Sequence, residues 1–204
     1  MLMHRTPALR GMTLVELMVT LAVASVLMFA VMPSIGAWMR NTQIRNVTET
    51  VVNGLQRARN EAVRRNQPVR FSLVALTDAA VMDNSCAASS TAGSWVVSLA
   101  DPAGLCATAA SDTVAPFIID SHPVADGGRN TVITALQADG VTAANSVTFD
   151  GFGRIASAAA ITRIDINTNV TSADYRPLRI TLTPGGSVRS CDPKVSSTTD
   201  PRHC

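Results

Sequence analysis

Hydrophobic and polar positions divide this chain into three regimes. From Met12 to Met39 the residues are apolar or uncharged, with Glu16 the only formal charge among them. A carboxylate in hydrocarbon costs roughly 2.5 kcal/mol or more on insertion scales, so Glu16 calls for a partner. At helical rise it also lies only about 6 Å along the axis from Met12, within reach of headgroups, and an interfacial carboxylate stays open at this point. In the second regime Ile44, Val47, Val51, Leu55, Ala58 and Ala62 recur at steps of three or four. That is the stripe of an amphipathic helix, and it ends before Pro68.

From Val69 onward short β-forming runs alternate with Gly, Pro, Asp, Asn and Ser. The pattern predicts strands over Val69–Leu76, Ser94–Leu99, Pro116–Asp120, Thr131–Ala135, Ser146–Phe149, Gly153–Ala156, Ile161–Ile166, Leu178–Thr183 and Ser187–Cys191. Asp150-Gly151 and Pro184-Gly185-Gly186 read as hairpin turns. The Ala-, Ser-, Thr- and Asp-rich stretches Asp78–Gly93 and Pro102–Ala115 read as loops. The expected fold class is α+β, a long N-terminal helix against a mainly antiparallel β head. Its natural partner for the amphipathic stripe is that sheet.

The residues ahead of the apolar run refine this picture. Residues 1–11, MLMHRTPALRG, carry Arg5 and Arg10 and end in Gly. In a secretory signal peptide the small-residue cleavage site follows the apolar stretch, whereas here the small residue precedes it. Cutting after Gly11 would remove the basic leader and keep the apolar segment. The leader has no twin arginine and the segment no Cys for lipid attachment.

Gly11-Met12-Thr13-Leu14-Val15-Glu16 resembles the class III signal of type IV pilins and type II secretion pseudopilins. The resemblance implies that a prepilin peptidase cuts after Gly11, that Met12 becomes a methylated N-terminus, and that Glu16 directs assembly. The family usually has Phe where this chain has Met12. On this basis Glu16 neutralises the new α-amine of a neighbouring subunit, which removes the desolvation penalty either charge bears alone. Pro33 falls where the family's first helix commonly bends, because proline removes a helical hydrogen bond and clashes with the preceding turn. The resemblance implies a leader at 1–11, a transmembrane half-helix at 12–39, an amphipathic half-helix at 40–67 and a periplasmic head at 68–204.

Within the pilin superfamily the chain looks most like the GspH/FimT group of minor subunits. The carrying stretches are Leu55-Gln56-Arg57-Ala58-Arg59-Asn60-Glu61-Ala62, Gly93-Ser94-Trp95-Val96-Val97, Phe149-Asp150-Gly151-Phe152-Gly153-Arg154 and Arg189-Ser190-Cys191-Asp192-Pro193.

Cysteine and charge add bounds of their own. At 204 residues the chain can support one head domain with its own core, and with aromatics at 4% that core must be aliphatic. Cys86, Cys106, Cys191 and Cys204 all lie outside the helical stem, an even count that suits an oxidising compartment. Of the three pairings, Cys86–Cys106 with Cys191–Cys204 is expected, because each closes a local loop poor in apolar residues. Each bridge would contribute about 3 kcal/mol by loop entropy. No Cys/His spacing suits zinc, and neither metal nor cofactor is expected. Loss of Arg5 and Arg10 with the leader takes the 17 basic residues to 15, against 15 acidic, so no net charge remains to recruit nucleic acid. The charges are segregated, with seven Arg between Arg40 and Arg70 and six Asp between Asp78 and Asp126. A basic stem of this kind can meet acidic lipids or acidic neighbours, while any single arginine reads as solvated helix surface.

No nucleophile elbow, phosphate loop or paired-carboxylate signature is present, and catalysis is not expected. Two classes of function follow from the resemblance. One is a structural minor pilin or pseudopilin that joins the tip or priming complex of a type IV pilus, or the pseudopilus of a type II secretion system. Its partners would be prepilin peptidase and other major and minor pilins, and it would be anchored in the inner membrane with a periplasmic head. The other is a DNA-binding minor pilin for natural transformation, which uses a Gly-Arg-x-Arg pattern in a basic C-terminal tail. The matching positions are Gly186-Ser187-Val188-Arg189, with Ser187 where the first Arg is wanted. The candidate DNA contacts are Arg189, Lys194 and Arg202, interrupted by Asp192 and Asp200. Useful phosphate affinity at physiological salt needs several cations acting together.

Overall fold

The computed structural model describes residues 11–204 apart from Asp126 and Thr171, and for residues 29–34 it describes the backbone alone. Residues 1–10 of the expected leader therefore lie outside the described residues, as does the Pro33 ring to which a bend was assigned. The chain divides into two compact units, the first ending at Trp38 and the second running Met39–Cys204. Helix α1, Leu14–Arg65, begins in the first and ends in the second.

In the first unit α1 presents exposed side chains on every side from Leu14 to Met28. Thr20 Oγ1 donates to the Leu17 carbonyl at 2.9 Å and Ser25 Oγ to the Leu21 carbonyl at 2.8 Å. Both hydroxyls are thus satisfied within the helix and present little polarity outward. Among the described residues no helix is long and apolar enough to cross a membrane.

The second unit is built around the other half of α1. Ile44, Val47, Val51, Leu55, Ala58 and Ala62 are all buried, as the spacing predicts. The helix ends in a Schellman motif: Gln67 N–H reaches the Ala62 carbonyl at 3.2 Å and Asn66 N–H the Val63 carbonyl at 3.3 Å. Asn66 takes the left-handed conformation this requires, with φ 52°, and Pro68 then prevents further helix.

Nine strands follow among the described residues: β1 (Val69–Ala75), β2 (Ala87–Ala88), β3 (Ser94–Ser98), β4 (Ile118–His122), β5 (Thr131–Leu136), β6 (Ser146–Phe149), β7 (Arg163–Thr168), β8 (Leu178–Leu182) and β9 (Val188–Cys191). They form two antiparallel sheets. In the first, β1 is central, with β3 and then β4 on one side and with β6 and β2 sharing the other. The second runs β5-β7-β8-β9. The α+β class expected from the pattern is the class observed.

Several local expectations need correction. Asp78–Gly93 is not wholly loop, because β2 pairs with Val74 and Ala75 of β1. Gly153–Ala156 is not a strand: its only bridge is Phe149 with Ile155. Ile155 N–H turns to the Pro184 carbonyl at 3.0 Å, so the chain leaves β6 to brace the β8–β9 turn. The strand expected at Ile161–Ile166 starts at Arg163, because Ile161 N–H bonds the Ser146 carbonyl of the other sheet at 3.0 Å. The strand expected at Pro116–Asp120 begins at Ile118, where pairing with Ser98 starts.

One continuous core joins the α1 stripe to the inner faces of both sheets, through Phe71, Leu73, Trp95 and Phe149 from the first and Ile133, Ile164, Ile166 and Ile180 from the second. Each large side chain buried in this way contributes about 1.5–3 kcal/mol. On the outer face of the first sheet Val74, Val96 and Ile118 form a smaller cluster with Cys86 and Cys106, which are bonded to each other. Hence β3 is buried at all five positions, covered by α1 on one face and the bridged loop on the other.

Gly54 sets how closely α1 approaches that sheet. A Cβ there would stand 2.9 Å from both Phe71 Cε2 and Trp95 Cδ2, two rings held by their neighbours. Gly54→Ala is expected to destabilise the head by about 1–3 kcal/mol through overpacking, although it raises helix propensity. A urea melt that shows the variant as stable as the parent would contradict this account of the helix–sheet spacing.

Candidate functional site

The N-terminal candidate residues stand at the start of α1. Thr13 Oγ1 accepts the Glu16 N–H at 3.3 Å, and the Leu17 N–H reaches the Thr13 carbonyl at 3.2 Å. Thr13 is thus the N-cap and Glu16 the third residue of the first turn, where a carboxylate is favoured by the partial positive charge of the unpaired N–H groups. Glu16 is exposed and has no ion-pair partner among the described residues. Gly11 and Met12 precede the helix and are exposed as well, with open space around Gly11. The capping spacing Thr13-x-x-Glu16 was present in the sequence as a helix-start signal.

Four of the stem arginines, Arg40, Arg59, Arg65 and Arg70, are bonded to distant parts of the chain, whereas Arg45, Arg57 and Arg64 are exposed as the reading of each one alone expects. Arg40 donates to Thr168 Oγ1 and Asn169 Oδ1 at 3.3 and 3.2 Å, with its guanidinium 5.8 Å from the centre of the Tyr175 ring. Arg59 Nε donates to the Gly153 carbonyl at 3.1 Å. Against that contact lies Gly186, whose φ is 79° and where a Cβ would stand 1.8 Å from the Gly153 oxygen. Only glycine fits there, so one arginine draws together α1, the turn after β6 and the β8–β9 turn. Arg70 lies 3.7 Å from Asp101, and Arg65 Nη1 is 2.6 Å from Asp112. Two of the acidic-block aspartates therefore meet the basic stem within the same chain.

Glu61 is the hub at the end of the stem. It is buried, accepts from Arg64 Nη2 at 2.6 Å and Arg65 Nε at 2.9 Å, and has Arg57 at 3.8 Å. Burial by itself would raise its carboxyl, but the hydrogen bonds from Arg64 and Arg65 outweigh burial and hold it below the ordinary value. The i, i+3 and i, i+4 spacing of these charges was legible beforehand; the burial was not.

The three C-terminal cations do not converge on one surface feature. Arg189 Nη2 donates to the carbonyls of Pro201 and His203 at 2.9 and 2.7 Å. Lys194 Nζ donates to the carbonyls of Ala173 and Tyr175 at 3.1 and 2.6 Å. Arg202 is paired with Asp200 at 2.7 Å, and its hydrogen bonds press the Asp200 carboxyl down to about 2. A bond between Cys191 and Cys204 closes the tail, and Asp192 N–H reaches the Arg202 carbonyl at 2.7 Å. Each cation serves to tie the tail or the Ala173–Tyr175 loop in place. Among the described residues no group of three or more His, Cys, Asp or Glu is arranged to hold a metal ion.

Comparison with known proteins accords with these features. The profile of the family described as Type II transport protein GspH matches residues 47–186, which is most of the chain. This chain belongs to the GspH family. Residues 9–32 match the prokaryotic N-terminal methylation motif, so the GspH-type head is joined to a pilin-type N-terminus. Two crystal structures of the Pseudomonas aeruginosa (strain PAO1) type IV minor pilin FimU are similar to it, at 17% and 18% identity and TM-scores of 0.41 and 0.40. They cover 75% and 76% of this chain, with 99% and 95% of their own chains matched. No curated protein matches. The GspH family consists of structural minor pilins and pseudopilins, and the methylation motif implies processing by prepilin peptidase.

Glu61 offers a measurable test of the stem's charge hub. A carboxyl whose folded pKa lies below its unfolded value of 4.5 adds stability above that value and loses it as pH falls through the folded one. Glu61→Gln is expected to cost about 1–3 kcal/mol near neutral pH, because the buried arginine bonds lose their charge. The deficit should shrink steadily below pH 4.5 in urea melts. A pH-independent deficit would assign the loss to packing instead.

Proposed function

We propose that this GspH-family chain is a minor pilin that assembles through its N-terminal helix into the tip or priming complex of a type IV pilus. The observation that carries this reading is the first part of α1. As far as Met28 it is apolar or uncharged on all sides apart from Glu16, its hydroxyls are turned onto its own carbonyls, and Glu16 stands in the first turn behind Gly11-Met12 with no ion-pair partner among the described residues. Such a helix lacks an environment in water, and lipid or neighbouring helices of the same kind would provide one. In this reading residues 12–39 anchor the chain in the inner membrane and the head lies in the periplasm. After cleavage the Met12 amine of one subunit and Glu16 of another neutralise each other, so each helix carries both halves of a head-to-tail contact.

A second reading places the same chain in the pseudopilus of a type II secretion system, supported by the description of the matching family. The assembly chemistry is shared; the distinction lies in the partners. DNA uptake has less support, because Arg189 and Lys194 direct their donors to backbone carbonyls and Arg202 is neutralised by Asp200. Phosphate binding by these groups would require dismantling the tail.

Processing is checked by intact mass. The mature chain should comprise residues 12–204 with a methylated Met12, and Gly11→Val should leave the leader attached, because the site accepts almost no side chain. Cleavage beyond residue 25 would overturn the pilin reading. Anchoring and assembly are separated by Glu16→Ala. Membrane insertion should be retained or improved, since an unpaired charge is removed, while recovery in sheared filaments should fall sharply. Equal incorporation of variant and parent would eliminate the amine–carboxylate pairing.

A further inference from the structure

Among the stem arginines Arg45 has a different setting. Arg40, Arg59, Arg64, Arg65 and Arg70 are each bonded to other groups of the chain. Arg45 is exposed and, among the described residues, forms no hydrogen bond or ion pair. It lines a cleft of about 590 Å³ with Arg176, Ser190, Asp192 and Arg202. The side chain of Arg176 is likewise unpartnered, its backbone N–H being fixed by Asn41 Oδ1 at 2.8 Å. Two unpaired arginines thus line one cleft from α1 and from the segment before β8, while Arg202 of the bridged tail is already paired with Asp200. Asp192 is the only carboxylate in the lining, and its Oδ1 already accepts the Lys194 N–H at 2.9 Å.

We propose that this cleft binds a small phosphate group, either the phosphodiester of an anionic lipid headgroup or a free phosphate. Unsatisfied guanidiniums from separate elements suit a tetrahedral oxyanion, whose oxygens point in several directions, better than a carboxylate, which one planar fork satisfies. The Ser190 hydroxyl adds a donor without charge. Cys191, bonded to Cys204, fixes the wall that carries Ser190 and Arg202. A lipid source is within reach, because Arg45 follows the last residue of the apolar run, Met39, by six positions, which limits their separation to about 20 Å of chain. That source rests on the membrane reading given above, whereas the free-phosphate source does not. The site uses neither Arg189 nor Lys194, and it is independent of which filament the subunit joins.

The full chain in a neutral detergent is titrated separately with inorganic phosphate, short-chain phosphatidylglycerol, short-chain phosphatidylcholine and a short DNA duplex. Saturable binding of phosphate or of phosphatidylglycerol is expected, weakened about tenfold or more by Arg45→Gln with Arg176→Gln. Neither substitution removes an intramolecular bond of the side chain, so the melting temperature should be unchanged. Arg129→Gln, outside the cleft, should leave binding intact. Phosphatidylglycerol binding without phosphate binding assigns a lipid headgroup, and similar binding of both assigns the phosphate alone. Failure of both ligands to saturate, binding that survives the double substitution, or equal retention of phosphatidylcholine would overturn the site. Binding of DNA alone, lost in the same variant, would overturn it in favour of a nucleic-acid surface.

Discussion

The inner faces of both sheets close over one stripe of α1, and the head depends on that burial. Ile44, Val47, Val51, Leu55, Ala58 and Ala62 lie in the same core as Phe71, Phe149, Ile164 and Ile180. Neither sheet is large, and the core has few aromatic rings to fill it. The helix therefore acts as the central element of the domain as well as its stem. Gly54 follows from this constraint, since two rings occupy the space a side chain would need. So does the Arg59 contact, which holds turns from both sheets against the helix.

Electrostatics reinforces the same arrangement. A chain with its arginines in the stem and its aspartates in the loops looks built to recruit partners. Folding brings Arg65 to Asp112 and Arg70 to Asp101, so part of that segregation is consumed internally. Surface pairs of this kind add little energy individually. Glu61 differs because it is buried, and an unpaired carboxylate there would be costly. The result is a head whose remaining unsatisfied cations, among the described residues, are few and placed at definite positions, notably Arg45 and Arg176.

The first part of α1 follows a different rule from the head. Its side chains are apolar all round, so nothing in this half of the helix specifies an inward face. The one charge sits at the capped start, beside the position where cleavage would leave an amine. Two disulfides brace the head, one over the outer face of the first sheet and one around the tail. The bridged head and the apolar start of α1 are thereby separate parts of one chain.

Periodicity alone determined the element types: steps of three and four required a helical stripe, and short β-forming runs between turn residues required strands. It also implied the α+β class, because a one-sided helix needs a sheet to cover it. These are local properties, and neighbours along the chain carry them. What tertiary structure decided was every relation between distant residues. The strand expected at Gly153–Ala156 fails because Ile155 bonds Pro184, a partner that no local pattern points to. Ala87–Ala88 becomes a strand only because β1 has a free edge beside it. The stem arginines are indistinguishable in sequence, yet Arg59 is a clamp, Arg65 an ion-pair partner and Arg45 a free cation in a cleft. Their roles depend on what the fold brings opposite each one, and hydrogen bonds and charges act across space irrespective of separation in the chain.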